Sequence, residues 1–519
     1  MGTAASQTES NNFFNRAFAS RSLRTNAWLV GLLSAIALFQ LLTIKPGHGW
    51  GDDFAMYIAH ARNLVEGRPY SDTGYIYNND EPIAPRRAPP GLPLMLAPIY
   101  ALRGADLVAM KSLMVVTFVV ALAFLAKLIR RWDSERSALA VIALVGFHPL
   151  FWEFKNNVLS DLPFLCFFVI SIWLMERTLV NPAPVRAGVA LGLAWWAAYA
   201  TRTLGILLPV AFLLTQLGIF RRLHRSTLVA LAVFVSLAAL QTVLLQGPSE
   251  YLSLFSLQPE AIKSNALGFM TASRGLLDTG FSSRGARAAF AIASVLALTG
   301  LIRSWMRRQF LLPITLILYL TAAFLWPYNA GARYLIPVIP FYFFYVVVGL
   351  RTIEDKLGRF GSALTVCAAS LAFIIYGARY YAAMRIPEPP GIDSPNAQSL
   401  FAFFRNTTRR DAVVIFKKPR ALALYTGRRA AIYATSLRCD PWQFIDQIHA
   451  THVALIRRSR QDSSYLAQLR QERPNSVRQV FANDEFTVYR LPPLPTRGPS
   501  PRSPATKANG CRTTASPVP

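Results

Sequence analysis

The feature that most constrains this chain is the recurrence of apolar runs long enough to cross a lipid bilayer. A membrane-spanning helix needs about 20 mostly apolar residues, and its backbone hydrogen bonds must be satisfied within the segment. Of the 519 residues, 53% are hydrophobic and only 16% are charged, less charge than a soluble chain carries. We therefore predict an all-α polytopic membrane domain with about 11–13 transmembrane helices. The predicted spans are residues 27–44, 109–129, 136–151, 162–177, 186–200, 204–220, 227–245, 287–302, 311–326, 335–350 and 361–380.

Basic residues indicate which loops face the cytoplasm. The chain carries 54 Lys and Arg against 27 Asp and Glu, a formal net charge of +27. These residues concentrate in loops that alternate along the predicted spans, as the positive-inside rule describes for cytoplasmic loops. Because this pattern accounts for much of the charge, we expect no nucleic-acid partner. The residues 1–26 are then cytoplasmic, and the segments on the outer face are 45–108, 152–161, 201–203, 246–286, 327–334 and 381–519.

The run 88–104 is the exception among the apolar segments. It is short for a span and contains four prolines, so we predict an interfacial or re-entrant segment within the first outer loop, 45–108. If it does span the membrane, a neighbouring assignment has to change.

Beyond residue 381 the composition changes to alternating short strands and helices. We predict a small extracytoplasmic α/β domain over 381–492 and a disordered tail rich in Pro, Ser and Thr over 493–519. Its basic segment "FKKPRALALYTGRR" has two interpretations, a contact with anionic acceptors or headgroups and, preferred, a lid or structural cap. No Cys/His cluster with metal-ligand spacing is present, so we expect no structural zinc site.

Two adjacent carboxylates follow the first predicted span in the stretch "WGDDFAMY". The apolar spacing after them predicts an amphipathic helix lying along the outer membrane surface. Asp52 and Asp53 stand at its N-terminus, where free N–H groups and the helix dipole favour a negative charge. We expect Asp52 to cap this helix, and Asp53 is a candidate catalytic residue.

Other charged residues recur on the predicted outer face. Asp161 lies at the mouth of the fourth span, Arg202 in the turn after the fifth, and Arg333 with Tyr334 at the mouth of the tenth. Each has a structural alternative: a helix cap for Asp161, a headgroup anchor for Arg202, and an interfacial pair for Arg333 and Tyr334. Carboxylates can act as general bases, and arginines can hold a phosphate bidentately. With Arg86 and Arg87, these residues indicate a site where a phosphate-linked group meets a nucleophile.

The order of these motifs resembles the GT-C class of membrane-embedded glycosyltransferases. Within that class it is similar to the polyprenyl-phosphate-sugar-dependent group that contains protein O-mannosyltransferases and the aminoarabinose transferase of lipid A. The resemblance covers about residues 27–380, a GT-C-like transmembrane domain, and depends on the ordered set rather than on any one motif. The motifs are "DDFAMY", "ARNLVEGRPY", "PPGLPLMLAP", "LSDLPF", "TRTLGILLP" and "RYLIPVIP".

The resemblance implies roles for individual residues. Family members have Asp-Glu-Ala-x-Tyr after the first span, so alignment on Tyr57 makes Asp53 the counterpart of the catalytic Asp. Phe54 replaces the Glu of the family motif. Asp161 matches the family's second acidic position, near the catalytic pocket, so the resemblance implies that Asp161 is the second catalytic residue. A basic residue precedes a Pro-Pro pair in relatives, whereas Ala88 separates Arg87 from that pair here.

The implied function is transfer of a sugar from a polyprenyl-phosphate donor to a glycan, lipid or protein acceptor on the outer face of the cell membrane. Asp53 would deprotonate or orient the nucleophile, and Arg333 and Arg202, helped by Arg86 or Arg87, would stabilise the departing phosphate. Such relatives typically invert the anomeric centre. We assign no cofactor except a divalent metal as an alternative, because such families differ in metal dependence. The competing functions are a lipid or glycan transporter or flippase, and a non-catalytic envelope assembly factor.

Overall fold

The computed structural model of the chain describes residues 26–79, 81, 87–180, 185–246, 259–276, 283–326, 331–385, 390–434 and 440–492. The predictions of a cytoplasmic segment before residue 26 and of a disordered tail after 492 lie outside these residues. Two compact units make up the chain. The helical unit comprises residues 1–44, 111–240 and 254–386, and the mixed unit comprises residues 45–110, 241–253 and 387–519.

Helices dominate the described residues. The α-helices are α1 (Asn26–Leu42), α2 (Asp53–Glu66), α3 (Gly91–Arg103), α4 (Leu107–Trp132), α5 (Glu135–Gly146), α6 (Pro149–Lys155), α7 (Asp161–Val180), α8 (Val185–Thr201), α9 (Leu207–Phe220), α10 (Arg225–Gln241), α11 (Pro259–Gly275), α12 (Ser283–Met306), α13 (Leu311–Phe324), α14 (Ile339–Leu357), α15 (Arg359–Arg385), α16 (Pro395–Thr407), α17 (Pro419–Thr426), α18 (Pro441–Ile448) and α19 (Arg460–Glu472). The strands are β1 (Tyr75–Ile76), β2 (Val413–Ile415), β3 (Arg429–Ala431), β4 (His452–Ile456), β5 (Arg478–Ala482) and β6 (Phe486–Arg490).

Each of the eleven predicted spans coincides with a helix of the helical unit. Six segments of the described residues are long and apolar enough to cross a bilayer, and a bent pair, α5 with α6, makes a seventh. Of the helices at the other predicted spans, α1, α8 and α13 are shorter, with at most 17 residues, and α14 has 19. The predicted all-α polytopic domain is therefore confirmed, and the chain is a multi-pass membrane protein. The six segments are Leu107–Trp132, Asp161–Val180, Thr203–Phe220, Arg225–Leu245, Arg284–Met306 and Arg359–Arg385.

The predicted span 136–151 is broken rather than continuous. The axis bends by 56° between α5 and α6. Pro149 has no N–H to continue the helical ladder, and its ring excludes a preceding helical turn. The ring nitrogen Nδ1 of His148 accepts from the backbone N–H of Leu150 at 3.1 Å and caps the new helix.

The sheet of the mixed unit has the strand order β1-β3-β2-β4-β6-β5. The first four strands are parallel and the last two are antiparallel to their neighbours. One core cluster packs Trp442, Ile445, Tyr465 and Leu469 from α18 and α19 against β2 and β4. The predicted small α/β domain is confirmed by this sheet and by the helices packed on it.

The first outer loop belongs to the same unit as this sheet. Strand β1, only two residues long, pairs with β3 through Tyr75 opposite Ala430. Near the start of the loop, His48 donates its backbone N–H to Asp393 Oδ2 at 2.8 Å. The sequence analysis places this loop, residues 45–108, in the transmembrane domain 27–380, whereas the fold groups it with the sheet. A two-residue strand carries no periodic signal, so its pairing becomes visible only in the fold.

Helix α2 is enclosed by protein. Residues Phe54 to Ala61 are buried without interruption, which covers every face of the helix. The prediction of a helix lying along the membrane surface is therefore wrong, because such a helix keeps one polar face in water. The run 88–104 contains α3, whose 13 residues span about 20 Å, too short for a straight crossing.

Candidate functional site

Two clusters of charged side chains contain most of the predicted site residues. The arginine cluster lies in the helical unit and consists of Asp161, Arg202, Arg333 and Tyr334. The acidic cluster lies in the mixed unit and consists of Asp52, Asp53, Arg420 and Tyr75.

Asp161 holds the arginine cluster together. The guanidinium of Arg202 donates from Nη2 to Asp161 Oδ1 at 2.8 Å, and that of Arg333 donates from Nη2 to Oδ2 at 3.3 Å. The Asp161 side chain is 1% exposed, against 13% for Arg202 and 31% for Arg333. Both carboxylate oxygens thus bind arginines, and the predicted capping alternative does not describe these contacts.

Further contacts fix the orientation of Arg202. Its Nε donates to Ser160 Oγ at 3.2 Å, and its Nη1 donates to the carbonyl oxygen of Arg333 at 3.3 Å. The ring of Tyr334 lies 5.7 Å from the guanidinium, within cation–π range. Arg202 follows α8 in an extended conformation, φ −147° and ψ 135°, before a short 3₁₀ turn. The mostly buried guanidinium does not fit the headgroup-anchor alternative.

The arginine cluster carries one more positive than negative charge. Two guanidinium groups share a single carboxylate, and the excess lies on the side of the more exposed Arg333. A planar, permanently charged guanidinium of this kind suits a phosphate or carboxylate ligand. The geometry therefore makes this cluster a candidate anion site, in which the carboxylate of Asp161 orients the two guanidinium groups.

In the acidic cluster, Asp52 does not cap the helix that it precedes. It occupies the N-cap position of α2, but its side chain makes no hydrogen bond there. Its Oδ1 instead accepts the backbone N–H groups of Arg420 at 3.1 Å and Ala421 at 3.2 Å, in the first turn of α17. The predicted capping chemistry is correct, but the capped helix is 368 residues further along the chain.

Burial sets the protonation behaviour of Asp52. Removal from water raises the pKa of this carboxyl to about 6, although Arg420 and the N–H of Ala421 act in the opposite direction. The neighbouring carboxylate of Asp53 raises that pKa further. Asp52 is thus protonated in a part of the folded molecules slightly below neutral pH.

Asp53 is the accessible carboxylate of the cluster. Its side chain is 34% exposed, whereas that of Asp52 is 8% exposed. Arg420 Nη1 lies 3.3 Å from Asp53 Oδ1, and the same guanidinium stands 4.9 Å from the ring of Tyr75. Asp53 is therefore the member of the pair that a substrate can meet.

The loop between α2 and α3 is held by polar contacts with its backbone. His60 is buried, accepts the N–H of Ala88 on Nε2 at 3.1 Å, and donates from Nδ1 to the carbonyl oxygen of Tyr70 at 2.7 Å. The hydroxyl of Tyr70 in turn donates to the carbonyl oxygen of Ala88 at 2.8 Å. Burial lowers the pKa of His60 to about 3, so this histidine is neutral. These contacts fix Ala88, the residue that separates Arg87 from the Pro-Pro pair.

The remaining predicted site residues have more varied positions. Arg87 is partly buried, and Arg86 lies outside the described residues. Tyr57 is buried on α2, and Phe54 is buried with its ring stacked on His48 at 3.9 Å. The position that holds a Glu in relatives is thus apolar here. Within the described ranges, no three His, Cys, Asp or Glu side chains form a group that could hold a metal ion.

Arg420 was not predicted as a site residue. The sequence interprets the basic segment "FKKPRALALYTGRR" as a lid or structural cap or as a contact with anionic groups, and neither interpretation singles out Arg420, whose side chain is 1% exposed. Its partners precede it by 367 and 368 residues, a separation that no local pattern reveals. The one local signal is its position in the first turn of a helix that begins with Pro419.

Comparison with known proteins agrees with this architecture. The family model of dolichyl-phosphate-mannose-protein mannosyltransferases matches residues 87–245. No curated protein matches the chain. Among solved structures, ArnT from Cupriavidus metallidurans with bound undecaprenyl phosphate is 15% identical, with a TM-score of 0.57, over 89% of this chain and 98% of that chain.

Archaeal structures give similar values. The oligosaccharyltransferase AglB from Archaeoglobus fulgidus, with an inhibitory peptide and a dolichol-phosphate, is 12% identical, with a TM-score of 0.57, over 83% of this chain and 69% of that chain. A structure of the Archaeoglobus fulgidus oligosaccharyltransferase with Zn and sulfate is 14% identical, with a TM-score of 0.54, over 82% and 68%. The chain has the GT-C fold, and the predicted resemblance to that class is confirmed.

Proposed function

We propose that this protein is an integral-membrane glycosyltransferase that transfers a sugar from a polyprenyl-phosphate-linked donor to a nucleophilic acceptor. The observation that carries the proposal is the arginine cluster, in which a buried carboxylate orients two guanidinium groups on a GT-C fold. Its net positive charge suits a donor whose leaving group gains negative charge during the reaction.

The proposed reaction is a single displacement at the anomeric carbon of the sugar. The acceptor's hydroxyl or amine forms a bond to this carbon and gives its proton to the carboxylate of Asp53. The bond between the carbon and the phosphate oxygen breaks, and its electron pair leaves with polyprenyl phosphate. Attack from the face opposite the phosphate inverts the anomeric configuration.

The two arginines would act on the leaving group. The departing phosphate changes from a diester with one negative charge to a monoester with two, so donors fixed beforehand stabilise the transition state more than the ground state. Arg333 is the more exposed of the pair and would make the direct contact. Asp161, with 1% exposure, would act by orienting the guanidinium groups rather than by touching the sugar.

The positive-inside distribution supports an extracytoplasmic site. Basic loops alternate with the outer segments that carry Asp53, Asp161, Arg202 and Arg333. A lipid phosphate sugar presented at that face, and a glycan, lipid or protein acceptor, are the partners that this orientation implies. ArnT was solved with undecaprenyl phosphate and AglB with dolichol-phosphate, which supports a lipid phosphate as the donor class.

The test is sugar transfer in proteoliposomes that contain the full chain and polyprenyl-phosphate donors with labelled hexoses or pentoses. Candidate acceptors are a peptide, a glycan and a lipid, and parallel reactions with EDTA distinguish a metal-dependent from a metal-independent enzyme. We expect wild type to consume a donor and Asp53→Asn to lose that activity.

Movement of an intact lipid-linked sugar across the bilayer, without cleavage of the sugar–phosphate bond, would instead identify a flippase. If wild type and Asp53→Asn restore a cell-envelope defect equally, the assembly-factor function holds and the transferase proposal is wrong.

A further inference from the structure

The C-terminal part of the chain contributes a charged group to the acidic cluster. We propose that Arg420 is a positioning residue that orients the carboxylate of Asp53, so that α17 completes the site in which Asp53 acts. This inference rests on the proposed function, because it assigns Asp53 to the transfer reaction.

The guanidinium of Arg420 is buried against carboxylates and an aromatic ring. Its Nη1 is 3.3 Å from Asp53 Oδ1, and its Nε is 3.8 Å from Asp52 Oδ2. The ring of Tyr75 covers it at 4.9 Å. A guanidinium with a side-chain exposure of 1% needs such counter-charges, because burial of an unpaired charge is very costly.

The backbone that carries Arg420 is fixed by the same acidic pair. Asp52 Oδ1 accepts the N–H groups of Arg420 and Ala421, which are orphan donors in the first turn of α17. Pro419 presets the first helical position, and Gly427 ends the helix in a left-handed conformation with φ 66°. Asp52 therefore anchors the helix, and Arg420 extends from that anchor to Asp53.

The two carboxylates of the acidic cluster therefore have different roles. Asp52 is buried and committed to α17, whereas Asp53 is partly exposed and bound to the guanidinium. Adjacent carboxylates repel each other when both are ionised, and one arginine between them offsets that repulsion. Without Arg420, Asp53 would lose both its orientation and the positive charge that favours its basic form.

Among the described residues of the mixed unit, two titratable groups near this pair stay neutral at the pH of an assay. Burial lowers the pKa of His60 to about 3 and raises that of Tyr75 to about 12, so both stay neutral. Lys418 acts electrostatically on Asp52, and Arg87 acts on His60. Arg420 is therefore the buried positive charge that the two carboxylates share.

The variants are Arg420→Gln, Arg420→Lys and the matched control Arg428→Gln, all in the full chain. Arg428 is also buried and follows α17 closely, but it donates to carbonyl oxygens of Arg405, Thr408 and Thr426. We expect Arg420→Gln to lower kcat by about 10²-fold, the cost of a misplaced reacting group, and to leave KM nearly unchanged. The acidic limb of its pH–rate profile should move to higher pH, because the positive charge beside the carboxylate is lost.

The conservative variant and the control separate positioning from folding. Arg420→Lys keeps the charge without the planar fork, so it should restore part of the rate and most of the pH profile. Arg428→Gln should lower the yield of folded protein and leave the pH profile of the folded fraction in place. If the activity of Arg420→Gln falls only in proportion to its yield of folded protein, and the acidic limb of its pH–rate profile does not move, the positioning role is wrong.

A second readout does not depend on transfer activity. A carbodiimide labels protonated carboxyl groups, and mass spectrometry can follow labelling of the partly exposed Asp53 as a function of pH. Labelling should extend to higher pH in Arg420→Gln than in wild type or Arg428→Gln. An unchanged labelling profile contradicts the inference whatever the activity. A shifted profile in a chain that transfers no sugar from any donor contradicts the proposed function and leaves the Arg420–Asp53 pairing intact.

Discussion

The acidic cluster and the arginine cluster have inverse compositions. In the mixed unit two carboxylates share one guanidinium, and in the helical unit two guanidinium groups share one carboxylate. In each cluster, the charge that occurs only once is also the most buried. It is Arg420 in the acidic cluster and Asp161 in the arginine cluster. In each cluster, a buried charged side chain thus orients a more exposed side chain of the opposite charge. In the proposed reaction, the acidic cluster accepts a proton and the arginine cluster binds the anionic leaving group.

The largest expected effect concerns the exposed carboxylate of the acidic cluster. Asp53→Asn removes the proton acceptor while it keeps the shape of the side chain, so kcat should fall by about 10²–10⁴-fold. Donor turnover in proteoliposomes measures this directly. Asp52→Asn is the matched control, since it changes a neighbouring carboxylate that binds α17 rather than substrate. Equal losses of kcat in both variants, each in proportion to its loss of folded protein, would show that the cluster acts only in folding.

The next effect concerns the exposed guanidinium of the arginine cluster. Arg333→Gln should lower kcat by about 10²–10³-fold, because a fixed donor to a developing charge is lost. Arg351→Gln is the control: Arg351 is 28% exposed, close to the 31% of Arg333, and pairs with the buried Asp133. A comparable fall in kcat for the control would contradict a specific phosphate-binding role. If Arg333→Gln raises KM and leaves kcat unchanged, Arg333 binds the donor phosphate in the ground state and does not stabilise the transition state.

Whether the sequence predicted a feature correctly depended on how far apart along the chain the interacting residues lie. Apolar runs report local structure, so all eleven predicted spans coincide with helices. The break before Pro149 has a local cause as well, but the apolar composition on both sides concealed it. Strand β1 and the burial of Arg420 depend on pairings more than 350 residues apart in sequence. Asp52 combines a local and a distant feature. Its capacity to cap a helix was predictable from the residue type, but the identity of the capped helix, α17, was not.

A third effect concerns the pH dependence of stability in the mixed unit. The pKa of Asp52 rises from 3.8 to about 6 on folding, so the folded state prefers the protonated form. The stabilisation is complete below pH 3.8 and is lost as the pH rises through about 6, a change of about 3 kcal/mol. Proteolysis of the mixed unit at graded denaturant concentrations measures this between acidic and neutral pH. Asp52→Asn should make the stability of the mixed unit less dependent on pH between about 3.8 and 6. If the pH dependence keeps its slope in this variant, another titratable group controls it.

The smallest effect on activity is expected at a second carboxylate of the helical unit that also binds two arginines. Asp133 accepts from Arg351 at 2.8 Å and pairs with Arg307 at 3.4 Å, but it also accepts hydroxyl hydrogen bonds from Ser137 and Ser134. Burial acts to raise the pKa of Asp133, yet these hydrogen bonds and Arg351 outweigh it and hold that pKa below its ordinary value.

Asp133 is therefore saturated with donors, and its cluster lies in a loop that the positive-inside rule assigns to the cytoplasm. Asp133→Asn should lower the free energy of unfolding by about 1–3 kcal/mol and leave kcat of the folded protein almost unchanged. Thermal unfolding in detergent and donor turnover, measured on the same preparation, separate the two quantities. If kcat instead falls as far as we expect for Arg333→Gln, two arginines around a buried carboxylate do not by themselves identify an anion site.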